Sequence, residues 1–255
     1  MRPFPKQAKG PVQPEISSNL LKHTSPNPVQ RWLLRRFHQR VAELVKEGLW
    51  LTSEGARDPS RSAAGKPHSV AGGGGNDRCV NLRSGGQPQC HQLSGRAPRT
   101  SDSATPLVLD VGCGEGFVAR FLAARLQIRV VGLDIRRDAL PDLVGAAEHL
   151  PLRDGVAPVV ICLEVLEHLQ NPWDTLEELL RVSSGYVILS VPDQPFFAMA
   201  NLVRGKNLRR FGEDEEHLWH WRSETFLGFL GKRCHIARSV RSFPWVLALA
   251  KGSRR

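Results

Sequence analysis

Leu107–Gly116 reads LVLDVGCGEG, an apolar run that breaks into a glycine at every second position. The apolar part makes a short buried strand, and the run FVARFLAARL that follows has helical spacing. Between them Gly112, Gly114 and Gly116 let the backbone bend sharply and leave no side chain where a ligand would lie against it. Strand, glycine turn and helix in this order predict a parallel α/β sheet whose ligand sits at the carboxyl ends of the strands. The spacing G-x-G-x-G is one residue shorter than the dinucleotide fingerprint G-x-G-x-x-G, which disfavours a pyrophosphate held on a helix amino terminus.

A second acidic marker stands at Asp134, after the apolar stretch Arg129–Leu133 and twenty-two residues past Gly112. That is near the ~20-residue offset at which a carboxylate reaches ribose hydroxyls. A strand-end aspartate also caps a following helix, here IRRDALPDLV, and the two roles are compatible.

The pattern D-V-G-C-G-E-G resembles motif I of the class I S-adenosylmethionine-dependent methyltransferases, and the likeness runs from Leu107 to Lys251. It implies an α/β, Rossmann-like fold: a mostly parallel seven-stranded sheet, helices on both faces, and an antiparallel C-terminal strand. It also implies S-adenosyl-L-methionine as cofactor, held by Asp110, Gly112, Cys113, Gly114, Gly116, Asp134 and Ile135, with Ala147, Glu148 and Leu163 completing the pocket. One departure concerns adenine. Many members carry an acidic residue before an A-E-x-L-P segment, and the matching position here is Ala146. Adenine recognition then falls to backbone groups around Ala147 and Glu148 and to packing from Leu150.

Residues 105–251 alternate strand and helix as a methyltransferase domain would: strand Leu107–Val111, helix Phe117–Leu126, strand Arg129–Leu133 and helix Arg137–Val144. Strand Pro158–Leu163, helix Pro172–Arg181 and strand Tyr186–Val191 follow, then a helical SETFLGFLGK and a hairpin of HIARSV with WVLALA. Upstream, residues 1–28 read as a flexible basic arm. Residues 29–52 read as a helix packed on the domain, with Trp32, Leu33, Phe37, Val41, Leu44 and Val45 near one face. Residues 53–104 hold nine glycines and no Phe, Trp, Tyr, Ile or Met. Such a segment cannot bury enough apolar area to offset ~1–2 kcal/mol of backbone entropy per residue and reads as a disordered insertion. Cys79, Cys90 and His91 inside it match no zinc spacing.

Methyl transfer from a sulfonium is an in-line displacement, so alignment and desolvation supply much of the catalysis. An alcohol or phenol acceptor must also lose a proton. The segment ICLEVLEH puts Glu164, Glu167 and His168 just past the fourth strand, where an acceptor approaches, and a helical turn starting at Glu164 would set all three on one face. This E-x-x-E-H arrangement resembles that of ubiquinone-pathway O-methyltransferases and of small-RNA 3′-terminal 2′-O-methyltransferases. There the equivalent residues hold a metal with a later histidine, which here would be His217. Such mixed ligation suits magnesium or zinc, but the same segment also occurs with no metal, the glutamates capping a helix and the histidine lining the pocket. The stretch Phe196–Phe211 is expected to cap the acceptor side, and the acidic run Glu213–Glu216 to be a solvated loop.

The net charge of +10 lies wholly outside this domain: residues 1–100 carry sixteen Lys and Arg against six Asp and Glu, and residues 101–255 nineteen of each. The balance does not indicate a basic groove for nucleic acid, though a cluster at Arg204, Lys206, Arg209 and Arg210 keeps RNA 2′-O-methylation as an alternative. Ala146 and the insertion keep a second alternative, an inactive cofactor-binding partner subunit. No apolar stretch reaches membrane-span length, the opening MRPFPKQAKGP lacks a signal-peptide core, and five cysteines form no C-x-x-C pair. The expectation is a cytoplasmic enzyme acting at oxygen on a small or medium-sized molecule.

Overall fold

The computed structural model describes residues 18–57, 105–194, 196–197, 199 and 218–253. The expectations for the first part of the arm, most of the insertion, the basic cluster at Arg204–Arg210, His217 and Glu213–Glu216 lie outside these residues.

Asn27 starts the long amino-terminal helix. Its side-chain oxygen accepts the N–H groups of Val29 (2.9 Å) and Gln30 (3.2 Å), and Pro28 occupies the first helical position, where a missing N–H costs nothing. A short helix, α1 (Ser18–Thr24), precedes this cap, within the stretch expected to be a flexible arm. The long one, α2 (Pro28–Arg57), runs five residues beyond its expected end, into the start of the glycine-rich segment. Leu33, Leu34, Phe37, Val41, Leu44 and Val45 are buried along one stripe, but Trp32 is 55% exposed. Its position a residue before Leu33 turns it off the stripe, and Arg36 stacks over its ring instead.

The chain then runs β1 (Leu107–Val111), α3 (Phe117–Leu126), β2 (Arg129–Asp134), β3 (Leu143–Val144), β4 (Ala157–Leu163), α4 (Pro172–Val182) and β5 (Ser183–Pro192), alternating as the sequence predicts except between β2 and β4. Helix α5 (Ser223–Gly231) and the hairpin of β6 (Cys234–Ser242) and β7 (Trp245–Gly252) complete it. The seven strands are ordered β3-β2-β1-β4-β5-β7-β6, with β7 antiparallel to both neighbours. This is a mostly parallel seven-stranded sheet of Rossmann-like order with an antiparallel C-terminal strand, as the sequence predicts.

One expected element is absent. The stretch Arg137–Val144 forms no α-helix: Arg137–Ala139 makes a single 3-10 turn and Leu143–Val144 a two-residue strand. A parallel crossover usually needs a dozen or more residues to carry the chain back along the sheet. Here β3 pairs only with Leu133 and Asp134, the last two residues of β2, so there is no return journey to make. The carboxylate of Asp142 stands in for the missing strand by accepting the Gly132 N–H at 2.8 Å.

Alternation along the strands divides the core. Val108, Val159, Ile161, Ile188, Leu247 and Leu249 face α2 and α3. Leu109, Val160, Cys162, Leu189, Val246 and Ala248 face the other way, onto α4 and α5. The polar ends of β1, β2, β4 and β5 are therefore held between two packed layers.

Candidate active site

The glycine turn is built on the end of β2. The N–H groups of Gly112 and Cys113 both donate to the Leu133 carbonyl, at 2.7 and 3.1 Å, so the chain leaves β1 bent across its neighbour. Gly112, Gly114 and Gly116 have φ of 76°, 51° and 69°, the left-handed region that an L side chain resists. Gly112 is also crowded: a Cβ there would lie 2.3 Å from Cγ2 of Val165. Cys113 turns its thiol onto Gly132, where burial, helped by Asp110 and Asp134, pushes it up to about 12. It offers the pocket a backbone and no thiolate.

Two carboxylates flank this turn. Asp134 Oδ2 accepts the Gly114 N–H at 2.7 Å and its Oδ1 the Arg136 N–H at 2.8 Å, so the residue braces both the glycine turn and the chain entering the 3-10 turn Arg137–Ala139. Each oxygen retains a lone pair for a ligand hydroxyl. Asp110 is buried at the foot of the turn and its Oδ2 has no hydrogen-bond partner among the described residues. Burial, with the Asp134 charge adding to it, pushes the Asp110 carboxyl up to about 7. Glu115 is tied to Arg136 at 3.0 Å, closing the turn from outside.

Beyond Asp134 the side chain of Ile135 is 69% exposed. Ala147 and Leu150 are buried, while Glu148 and Leu163 are half-buried. The loop carrying Ala147–Leu150 is held by α4: Glu178 accepts the Leu150 N–H at 2.8 Å, and Arg181 donates to the carbonyls of Leu150 (3.1 Å) and Leu152 (2.7 Å). Arg181 also pairs with Glu178 and Asp154. Nothing in the spacing E-E-L-L-R marks it as the brace of a loop some thirty residues upstream.

Past β4 the structure corrects the expected arrangement. Glu164 does not start a helical turn; its φ is 57° and its N–H donates to the Ser190 carbonyl at 3.1 Å. The 3-10 turn Leu166–His168 comes next, and the three polar side chains diverge. Glu164 is half-buried and ion-paired with Lys22, Glu167 is wholly buried, and His168 is exposed. Among the described residues no group of three or more His, Cys, Asp and Glu is placed to hold a metal ion. Glu164, Glu167 and His168 do not by themselves form such a group, and the expected fourth ligand, His217, lies outside the described residues. The Glu167 carbonyl accepts the N–H groups of Leu218 (2.8 Å) and Trp219 (3.1 Å), and the Trp219 indole donates to the Leu169 carbonyl at 2.8 Å. That pins the chain after position 217 to the rim of the site.

Helix α1 crosses this rim. His23 stacks on Phe117 with ring centres 4.3 Å apart and planes within 4°, and on its other side lies 5.3 Å from His38. Burial lowers His23 to about 3, with His38 and Lys22 adding repulsion, and lowers His38 to about 4. The sequence SNLLKHTSPNP contains no motif that would have singled out Lys22 or His23.

Residues 109–189 match the model of a family described as a methyltransferase domain. Among curated relatives, a ubiquinone biosynthesis O-methyltransferase of Thiobacillus denitrificans is 30% identical over 121 residues, 39% of this chain and 52% of that protein. An N-demethylindolmycin N-methyltransferase of Streptomyces griseus is 33% identical over 103 residues, 40% of this chain and 37% of its own length. The chain thus spans about half, or less, of the curated relatives it matches. Among solved structures, an S-adenosylmethionine-dependent methyltransferase of Methanosarcina mazei aligns with TM-score 0.44 at 20% identity, covering 59% of this chain and 94% of its own.

Proposed function

We propose that the protein is a class I S-adenosylmethionine-dependent methyltransferase that transfers a methyl group to oxygen on a small or medium-sized acceptor, a reading supported by the match of residues 109–189 to a methyltransferase-domain model. The bond from Gly114 to Asp134 carries this reading, because it sets a buried carboxylate against the glycine bend where a nucleoside would lie. The residues present fit the cofactor. Three left-handed glycines leave its seat free of side chains, Asp134 offers lone pairs to ribose hydroxyls, and Ile135 supplies an exposed apolar surface beside them. Ala147, Glu148, Leu150 and Leu163 complete the adenine side. Asp110, with an oxygen left unpartnered at the base, is placed beneath the turn.

When bound, S-adenosylmethionine supplies an activated methyl group on a sulfonium. The protein's own share is geometric. The turn and its two carboxylates would hold the donor, and the segment after β4, with the chain pinned to Glu167, would border the line of approach. His168, exposed at this rim, is the residue we propose to take the proton of an acceptor hydroxyl, and His217 is proposed to share that role. Oxygen is favoured as the target because ubiquinone biosynthesis O-methyltransferases from four organisms are among the matched relatives. We place the protein in the cytoplasm; no helix among the described residues is long and apolar enough to cross a membrane.

Calorimetry with S-adenosylhomocysteine tests the cofactor assignment, and transfer of labelled methyl from S-adenosylmethionine to a panel of phenols, hydroxy acids and amines tests the acceptor. Saturable binding with label appearing only on oxygen is expected. No heat with S-adenosylhomocysteine would end the proposal; label on nitrogen would leave the donor site and discard the oxygen target.

A further inference from the structure

Lys22 and Glu164 are 142 positions apart and form an ion pair, although neither belongs to the glycine turn. Two observations fix where this pair sits. Glu164 is followed by Val165, whose methyl group lies against Gly112. Lys22 is followed by His23, whose ring lies flat on Phe117, the residue immediately after Gly116. Helix α1 therefore spans from the start of α3 to the end of β4, and Gly112–Gly116 lies between those two anchor points.

Each partner has binding capacity that the pair leaves over. Oε1 of Glu164 is buried without a hydrogen-bond partner among the described residues. Lys22 has three N–H donors, and its ammonium lies 6.0 Å from the centre of the Trp245 ring. Glu164 moreover holds a left-handed backbone, φ 57°, a strained conformation for a non-glycine residue of the kind that clusters at ligand sites.

We propose that Lys22 and Glu164 together bind the amino-acid end of the cofactor, Lys22 taking its carboxylate and Glu164 its ammonium. This rests on the proposal that the cofactor is S-adenosylmethionine, and it moves Glu164 from the acceptor side, where the sequence put it, to the donor side. A zwitterion is the ligand that suits a half-buried ion pair. Each protein charge exchanges one opposite charge for another, so no uncompensated charge is left in a partly desolvated place. A ligand with only one charge would strand one partner. Seating the zwitterion also holds α1 down across the turn, so that the donor is covered once it is bound.

The test uses the full chain, with S-adenosylhomocysteine, which keeps the zwitterion, and 5′-methylthioadenosine, which lacks it. Calorimetry on the wild type should show a clear preference for S-adenosylhomocysteine. Lys22→Ala and Glu164→Gln should each weaken S-adenosylhomocysteine about tenfold or more, the size of one lost charged contact, and leave 5′-methylthioadenosine unchanged. Lys22→Arg should recover most of the loss. Thermal unfolding without ligand confirms that each variant is folded. Unchanged S-adenosylhomocysteine affinity in Lys22→Ala, or equal losses for both ligands, would mean that the pair is only a latch and overturns the proposal. A wild type that binds neither ligand overturns the cofactor reading first, and this one with it.

Discussion

Asp134 reaches back twenty residues to hold the N–H of Gly114 at 2.7 Å, so the carboxylate that would meet a ribose also sets the shape of the turn that would meet the rest of the ligand. Removing it therefore affects both. Asp134→Ala should weaken S-adenosylhomocysteine binding at least tenfold by calorimetry and leave a buried N–H unsatisfied, at a cost of roughly 1–3 kcal/mol in urea unfolding. A variant with wild-type affinity would show that the carboxylate does not touch the nucleoside.

Two glycines should respond in opposite ways to the same change. At Gly112 an added methyl group would collide with Val165 across 2.3 Å and sit on a backbone with φ 76°, so Gly112→Ala should destabilise the fold and abolish cofactor binding. At Gly228, inside α5, an added Cβ has nothing within 4 Å. Gly228→Ala should raise stability by about 0.5–1 kcal/mol through helix propensity, and leave binding alone. Urea unfolding of the two variants side by side checks both.

Stability should depend on pH through groups of opposite sign. His38 is held near 4 and His23 near 3, against an ordinary 6.5, because burial penalises their charged forms. Below 6.5 the unfolded chain takes up protons that the folded one refuses, so their contribution is full above 6.5 and is lost as pH falls toward 4. Asp110, held near 7 against 3.8, does the reverse: its contribution is full below 3.8 and is lost as pH rises to 7. His38→Phe should gain stability relative to wild type as pH drops from 7 to about 4.5, and Asp110→Asn should gain as pH rises from 5 to 8. Denaturation midpoints across that range measure each difference, and parallel curves would contradict the assigned burial.

Glu167 and His168 are adjacent in sequence but diverge in space, one wholly buried and the other exposed. Chelator treatment should accordingly leave the binding of S-adenosylhomocysteine unchanged. Saturable manganese or magnesium heat that disappears in Glu167→Ala would instead restore the metal reading that the sequence left open.

Sequence periodicity located most of the fold, because β1, β4 and β5 are buried on both faces and α4 and α5 on one. Their apolar spacing is therefore unbroken. It misread Arg137–Val144, where the pattern looks helical but the neighbouring strand needs a partner only at its last two residues. The glycine turn and Asp134 were legible because backbone geometry demands those residue types at those places. Lys22, His23 and Arg181 were not. Each is an ordinary charged or polar side chain acting through long-range contacts, and such contacts leave no local trace.

The stretch that carries the family signature, 109–189, is only part of what must fold. Val108, Val159, Ile161, Ile188, Leu247 and Leu249 are kept dry by α2, a helix that enters from the far side of the glycine-rich segment. A clone beginning at residue 105 would expose that apolar sheet face to solvent, and its expected fate is precipitation. The reagent that rescues it would be α2 supplied as a separate peptide.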